Sequence, residues 1–251
     1  LKRVVVTGLG ALTPIGNTLP DYWESLKKGV SGAARITYFD PKHHKTQFAC
    51  ELKGFNVNDF IHRKEARRMD KFSQYAMVVT DEAINDAGLT EGSFDPDRVG
   101  VIWGSGIGGL ETFQDEAQVL LKARESDTGP KFNPFFIPKM IADIAPGNIS
   151  IKHGYRGPNY TTVSACASSS HALIDSFTYI RLGKADVIVT GGSEAAVNET
   201  GIGGFNACHA LSTNNDKAAT ASRPFDATRD GFVLGEGAGA IILEEYEHAK
   251  A

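Results

Sequence analysis

Short β-branched, apolar runs alternate with helix-periodic segments along this chain, and that alternation limits the folds open to it. Runs at residues 3–7, 99–103, 160–163 and 185–190 read as strands, and 232–243 reads as a strand interrupted by glycines. Helical spacing predicts helices over 21–28, 70–87, 110–123, 145–153 and 200–209, with another starting at 244. The clearest is 70–87. Phe72, Ala76, Val79 and Ala83 recur at intervals of four, three and four, and Gly88 closes it. Strands that lack polar alternation must be buried on both faces. The pattern therefore predicts an α/β fold, a mixed or mostly parallel sheet with helices on both faces. Residues 29–60 carry Gly29, Gly32, Pro41 and Gly54 and read as an irregular excursion.

The stretch Asn159-Tyr-Thr-Thr-Val-Ser-Ala-Cys166-Ala-Ser-Ser-Ser-His171 concentrates the chemistry. A strand over 160–163 runs through a short turn into a helix with Leu173, Phe177 and Ile180 on one face, ending at Gly183. Cys166 stands where strand becomes helix. The positive end of a helix dipole favours thiolate over thiol, and a backbone N–H there can stabilise an oxyanion. Cys166 thus reads either as a nucleophile or as a small buried hydrophobe, the commoner fate of a free cysteine.

Composition narrows the function classes. The chain has 251 residues, enough for one large domain or two small ones, with 41% hydrophobic and 22% charged residues. A net charge of −4 gives no global pull toward nucleic acid or membrane. Three cysteines, Cys50, Cys166 and Cys208, argue against a disulfide framework and for a reducing compartment, with cytoplasm as the expectation. No apolar run approaches the ~20 residues of a membrane span, and no basic and apolar leader opens the sequence. Gly8 and Gly10 lack the lysine or full glycine pattern of a nucleotide loop, so a tight turn after the first strand is expected. His43-His44 has no further ligand at metal spacing and reads as an exposed loop pair. Residues 132–138, with three phenylalanines, read as core or subunit contact. The basic cluster of Arg63, Lys64, Arg67, Arg68 and Lys71 reverses the local sign of charge, as a solvated face or as a dock for an anionic partner. Gly104-Ser-Gly-Ile-Gly-Gly109 predicts close backbone packing or close ligand approach.

Val163-Ser-Ala-Cys166-Ala-Ser-Ser-Ser-His171 resembles the nucleophile motif of the β-ketoacyl-acyl-carrier-protein synthases, the condensing enzymes of fatty-acid and polyketide synthesis. Val4-Val-Val-Thr-Gly-Leu-Gly10, the 104–109 glycine stretch, Gly157-Pro-Asn-Tyr160, Gly191-Gly-Ser-Glu194, Ser222-Arg-Pro-Phe-Asp226 and Asp230-Gly-Phe-Val-Leu-Gly-Glu-Gly-Ala-Gly239 match as well. Their order and spacing are similar to those of the elongating bacterial type II synthases. The likeness runs through the whole chain yet covers only the family's N-terminal half. It implies a thiolase-like fold, of which this chain supplies the first five-stranded half.

The resemblance also implies roles. Cys166 becomes the acyl-accepting nucleophile, Ile107 and Phe205 line the acyl pocket, and Lys64, Arg67 and Arg68 help hold the acidic acyl carrier protein. The aromatic segment would lie near the contact of a homodimer. His209 stands where relatives commonly carry a carrier-contacting arginine, a departure at that position. Two histidines that stabilise the enolate belong, in such enzymes, to motifs of the C-terminal half, and none of the seven histidines here sits in one. The expectation is half an active site that needs the C-terminal half, with substrates that carry their own phosphopantetheine and with no metal or other cofactor. It is also an exposed face where that half would pack, giving poor solubility alone or tight association. The rivals are a polyketide ketosynthase, a non-catalytic scaffold like a chain-length factor, and a cysteine hydrolase.

Overall fold

The computed structural model describes residues 1–90 and 92–251. Strands β1 (Val4–Leu12), β2 (Ala34–Arg35), β3 (Phe48–Ala49), β4 (Val99–Gly104), β5 (Asn159–Thr162), β6 (Val187–Glu194) and β7 (Gly237–Glu245) alternate with helices. The helices are α1 (Leu19–Lys27), α2 (Arg63–Ala66), α3 (Lys71–Ala87), α4 (Leu110–Glu125), α5 (Phe136–Met140), α6 (Ile144–His153), α7 (Ser168–Arg181), α8 (Glu199–Ala207) and α9 (Tyr246–Lys250). Five strands form one mixed sheet in the order β1-β7-β6-β4-β5. β4 is parallel to β5 and β6, whereas β7 is antiparallel to β6 and β1.

Alternate residues of the central strands feed two cores. Val101 and Trp103 of β4 and Val187 and Val189 of β6 pack with Phe72, Val79 and Ala83 of α3 and Ile149 of α6. Ile102 and Ile188 point the other way, onto Ala172 and Ile180 of α7. The expected α/β layering with helices on both faces is therefore present. α3 begins at Asp70, whose carboxylate caps Phe72 N–H, and ends at Gly88 with φ 66°. Such a left-handed residue closes a helix without strain only as glycine.

Two expectations are corrected. Gly8 and Gly10 do not turn the chain, because β1 continues through them to Leu12. A Cβ on Gly8 would stand 2.1 Å from the Ala83 carbonyl oxygen, and one on Gly10 2.0 Å from that of Val79. The glycines let α3 lie directly on the strand. On α7, the buried side is Ser168, Ala172, Ser176 and Ile180, while Phe177 is turned outward. Only Ile180 of the anticipated apolar face is in the core.

The 29–60 excursion holds the two-stranded β2–β3 sheet. It packs Ile36 and Ala49 against Val197 and Ile202 around α8, and against Leu211 and Leu234. His44 in this excursion sits edge-on to Phe39, ring centroids 5.3 Å apart.

Candidate active site

The sheet brings glycines of two strands, β4 and β6, to the start of α7. A Cβ on Gly104 would lie 2.4 Å from the Ser169 amide nitrogen, and one on Gly192 2.7 Å from Ser169 Cβ. Close backbone packing therefore accounts for Gly104, the first glycine of the 104–109 stretch. The small residues on α7 serve the same contact.

Between β5 and α7 the chain makes a tight, side-chain-braced turn. Ala165 adopts φ 52°, the left-handed region that L-residues with a Cβ enter at a cost. Ser168 Oγ accepts from Ser164 N–H at 2.9 Å and donates to the Ala165 carbonyl at 2.7 Å. Thr162 Oγ1 donates to the Ser168 carbonyl at 2.7 Å. Ser164 Oγ and His171 Nδ1 are 2.6 Å apart, closing the turn onto the next turn of the helix. Cys166 is exposed at this elbow, just before the first residues of α7, and no side chain caps that helix end. Unfilled N–H groups and the positive end of the dipole thus remain near the thiol.

Cys166 opens onto a cavity of about 850 Å³. Ile107 and Phe205 line it with Cys166, so three of the residues singled out from the sequence meet in one place. Phe205 packs edge-on against Phe232, ring centroids 5.4 Å apart, as an apolar wall. Among the described residues no histidine lines the cavity, and no cluster of His, Cys, Asp and Glu could hold a metal ion. His209 is exposed beyond α8, with φ 55°.

Lys64, Arg67 and Arg68 are not in the cavity wall. They are exposed on and just after α2 and form no ion pairs among the described residues. Arg68 lies over the Phe135 ring at 5.1 Å. The segment leads into α3 at Asp70. This buried carboxylate accepts from Thr112 N–H at 3.0 Å and Thr112 Oγ1 at 2.6 Å, pinning α3 to α4 where the glycine stretch ends. Burial pushes the Asp70 carboxyl up against the pull of these bonds.

Two cavity-lining acids, Glu194 and Glu236, and two aromatics, Tyr22 and Phe232, escaped the sequence reading as site residues. All but Tyr22 lie inside motifs that carry the family resemblance, and for Glu194 an acid ending a glycine-bearing strand is the available signal. Glu236 is buried and accepts from the Tyr38 hydroxyl, from Tyr75 Oη at 3.2 Å and from Leu52 N–H at 2.8 Å. Burial holds its carboxyl above the ordinary range, as it does for Glu194.

Known proteins share this arrangement. The family described as "Beta-ketoacyl synthase, N-terminal domain" matches residues 1–249. A 3-oxoacyl-[acyl-carrier-protein] synthase 2 of Staphylococcus aureus is 48% identical over 251 residues, all of this chain and 59% of the relative. A crystal structure of a β-ketoacyl synthase from Burkholderia phymatum superposes with a TM-score of 0.88 at 34% identity, over 100% of this chain and 60% of that one. The ishigamide ketosynthase/chain length factor structure gives 0.87 at 29% identity, over 99% and 60%. The chain spans about three-fifths of the length of these relatives, its fold is thiolase-like, and it belongs to the β-ketoacyl synthase family, whose N-terminal domain it carries.

Proposed function

We propose that this domain is the acyl-accepting half of an elongating condensing enzyme of fatty-acid synthesis. The observation that carries the reading is the braced elbow. It holds an exposed thiol beside an uncapped helix end, at the wall of an apolar cavity. The Cys166 thiolate attacks an acyl thioester carried on phosphopantetheine. A new C–S bond forms to Cys166, the old one breaks, and the carrier's thiolate leaves to take up a proton. Helix N–H groups stabilise the oxyanion of the tetrahedral intermediate.

Ile107 and Phe205 contact the acyl chain in this scheme. Loss of carbon dioxide from a malonyl thioester then yields an enolate that attacks acyl-Cys166. Donors for that enolate come from polypeptide beyond this domain, since no histidine among the described residues faces the cavity. Val163, Ile174 and Phe177 are 63%, 59% and 42% exposed. An apolar outer face of this kind supports packing against a C-terminal half.

Lys64, Arg67 and Arg68 receive the acidic carrier protein. Their exposure and lack of ion pairs among the described residues suit an anionic partner. Phe132, Phe135 and Ile137 are also exposed, which supports subunit contact in a homodimer. Among the described residues no helix is long and apolar enough to cross a membrane, and we place the enzyme in the cytoplasm. Metal and organic cofactor have no part in the scheme. The likeness to a ketosynthase/chain length factor favours polyketide extension as the second reading.

The test is intact mass after incubation with a long-chain acyl carrier protein. An acyl adduct on the wild type that is absent from Cys166→Ala is expected. An adduct of equal yield on the variant would overturn the assignment of Cys166, and no adduct on either would overturn the acyl-transfer reading.

A further inference from the structure

Glu194 is the half-buried acid of the site that acyl transfer to Cys166 leaves unused. Its Oε2 accepts from Gly106 N–H at 2.7 Å and Ile107 N–H at 3.0 Å, and its Oε1 accepts from Gly108 N–H at 3.3 Å. Three successive amides thus converge on one carboxylate, and Glu194 forms no ion pair with a cation among the described residues. Burial pushes the carboxyl up while these amides pull it down. A concave run of backbone N–H groups is a natural anion site. Here the anion is supplied from the end of β6.

The gripped segment has little freedom elsewhere. A Cβ on Gly106 would come within 2.9 Å of Glu194 Oε2. Gly108 has φ +80° and lies against the Met140 carbonyl oxygen, 2.7 Å from where a Cβ would stand. Gly109 lies against the Lys139 carbonyl in the same way, at 2.6 Å. The α5 backbone therefore fixes one side and Glu194 the other. Within residues 104–109 the one large side chain is Ile107, and it is 43% exposed on the cavity that holds Cys166.

We propose that Glu194 is a positioning residue for acyl-chain selection. By holding the 106–108 amides it sets where Ile107 stands in the cavity, and hence the length of acyl chain that Cys166 accepts. This rests on the acyl-transfer reading. Both carboxylate oxygens are used, so glutamine cannot substitute: one of its two termini is itself a donor facing N–H groups. Aspartate keeps the charge but is one methylene short of the amides.

The experiment uses the full-length protein carrying this domain, with Glu194→Gln and Glu194→Asp. The rate of Cys166 acylation is measured by intact mass with short, medium and long acyl thioesters of the carrier protein. Expected is a change of about tenfold in the long-to-short rate ratio, and no further change when Glu194→Gln is added to Ile107→Ala. Hydrogen exchange at the amides of 106–108 should quicken in either variant. A uniform loss across all lengths, an unchanged ratio, or additive effects with Ile107→Ala would overturn the proposal. Unchanged exchange would overturn the grip itself, whatever the substrate. A wild type that accepts no acyl chain would overturn the acyl-transfer reading and the selection role with it, and the exchange data would separate that outcome from a failed grip.

Discussion

At the scale of single residues, glycine carries opposite meanings in different places. Gly104 has no room for a methyl group, because the start of α7 lies on it and the obstructing atoms are backbone. Gly104→Ala should therefore cost about 1–3 kcal/mol. It should also displace the elbow that carries Cys166, seen as a lower Tm with a slowed reaction of that thiol toward iodoacetamide. Gly147, inside α6, has nothing within 4 Å of where an added methyl group would stand. Gly147→Ala should raise stability by about 0.5–1 kcal/mol, measured by urea unfolding, because glycine costs a helix conformational entropy. Together the two substitutions separate glycines kept for contact from one that contact does not require.

At the scale of elements, long apolar periodicity is legible in the sequence and contact made by small residues is not. α3 is where its pattern places it, and Phe72, Ala76, Val79 and Ala83 are all fully buried. β1 defeats a local reading because Gly8 and Gly10 look like a turn. What fixes them as strand is a helix arriving from residues far along the chain, which no local signal contains. α7 misleads for the same reason. Its inward side is serine and alanine because Gly104 and Gly192 require a close approach, whereas the larger Phe177 faces out. The elbow that carries Cys166 can be recognised from its residue types and order. Its bracing by Thr162, Ser164, Ser168 and His171 depends on a left-handed Ala165 that the sequence does not announce. Glu194 stays hidden because its partners are amides, which have no residue identity.

At the scale of the whole molecule, a buried carboxylate joins the excursion to the sheet. Glu236 stands at the threshold of β7 and receives Tyr38 and Leu52 from the excursion and Tyr75 from α3. Burial is the dominant influence on its carboxyl and pushes it up, outweighing the hydrogen bonds that pull it down. Over the window from the ordinary glutamate value to the raised one, the folded state keeps a proton that the unfolded chain has released. Stability therefore falls as pH rises through that window. Glu236→Gln removes this dependence. The wild-type Tm, taken relative to the variant, should decline as pH climbs above about 4.3 and then level off. A difference that stays flat with pH would mean that Glu236 is not held protonated.

The strand order has a temporal consequence. β7 is the last strand in sequence, yet it lies between β1 and β6, with Val4 registered against Glu245 and Val187 against Glu244. On a ribosome β1 emerges without β7, its partner in the sheet, and waits until residues 237–245 are made. The sheet is then finished by a late insertion into its interior, between β1 and β6, and not by extension at an edge. Until that moment the nascent chain carries open strand edges that other chains can pair with. The slow step of acquiring this fold should be the capture of residues 237–245, and a chaperone that shields β1 and β6 would act on it most strongly.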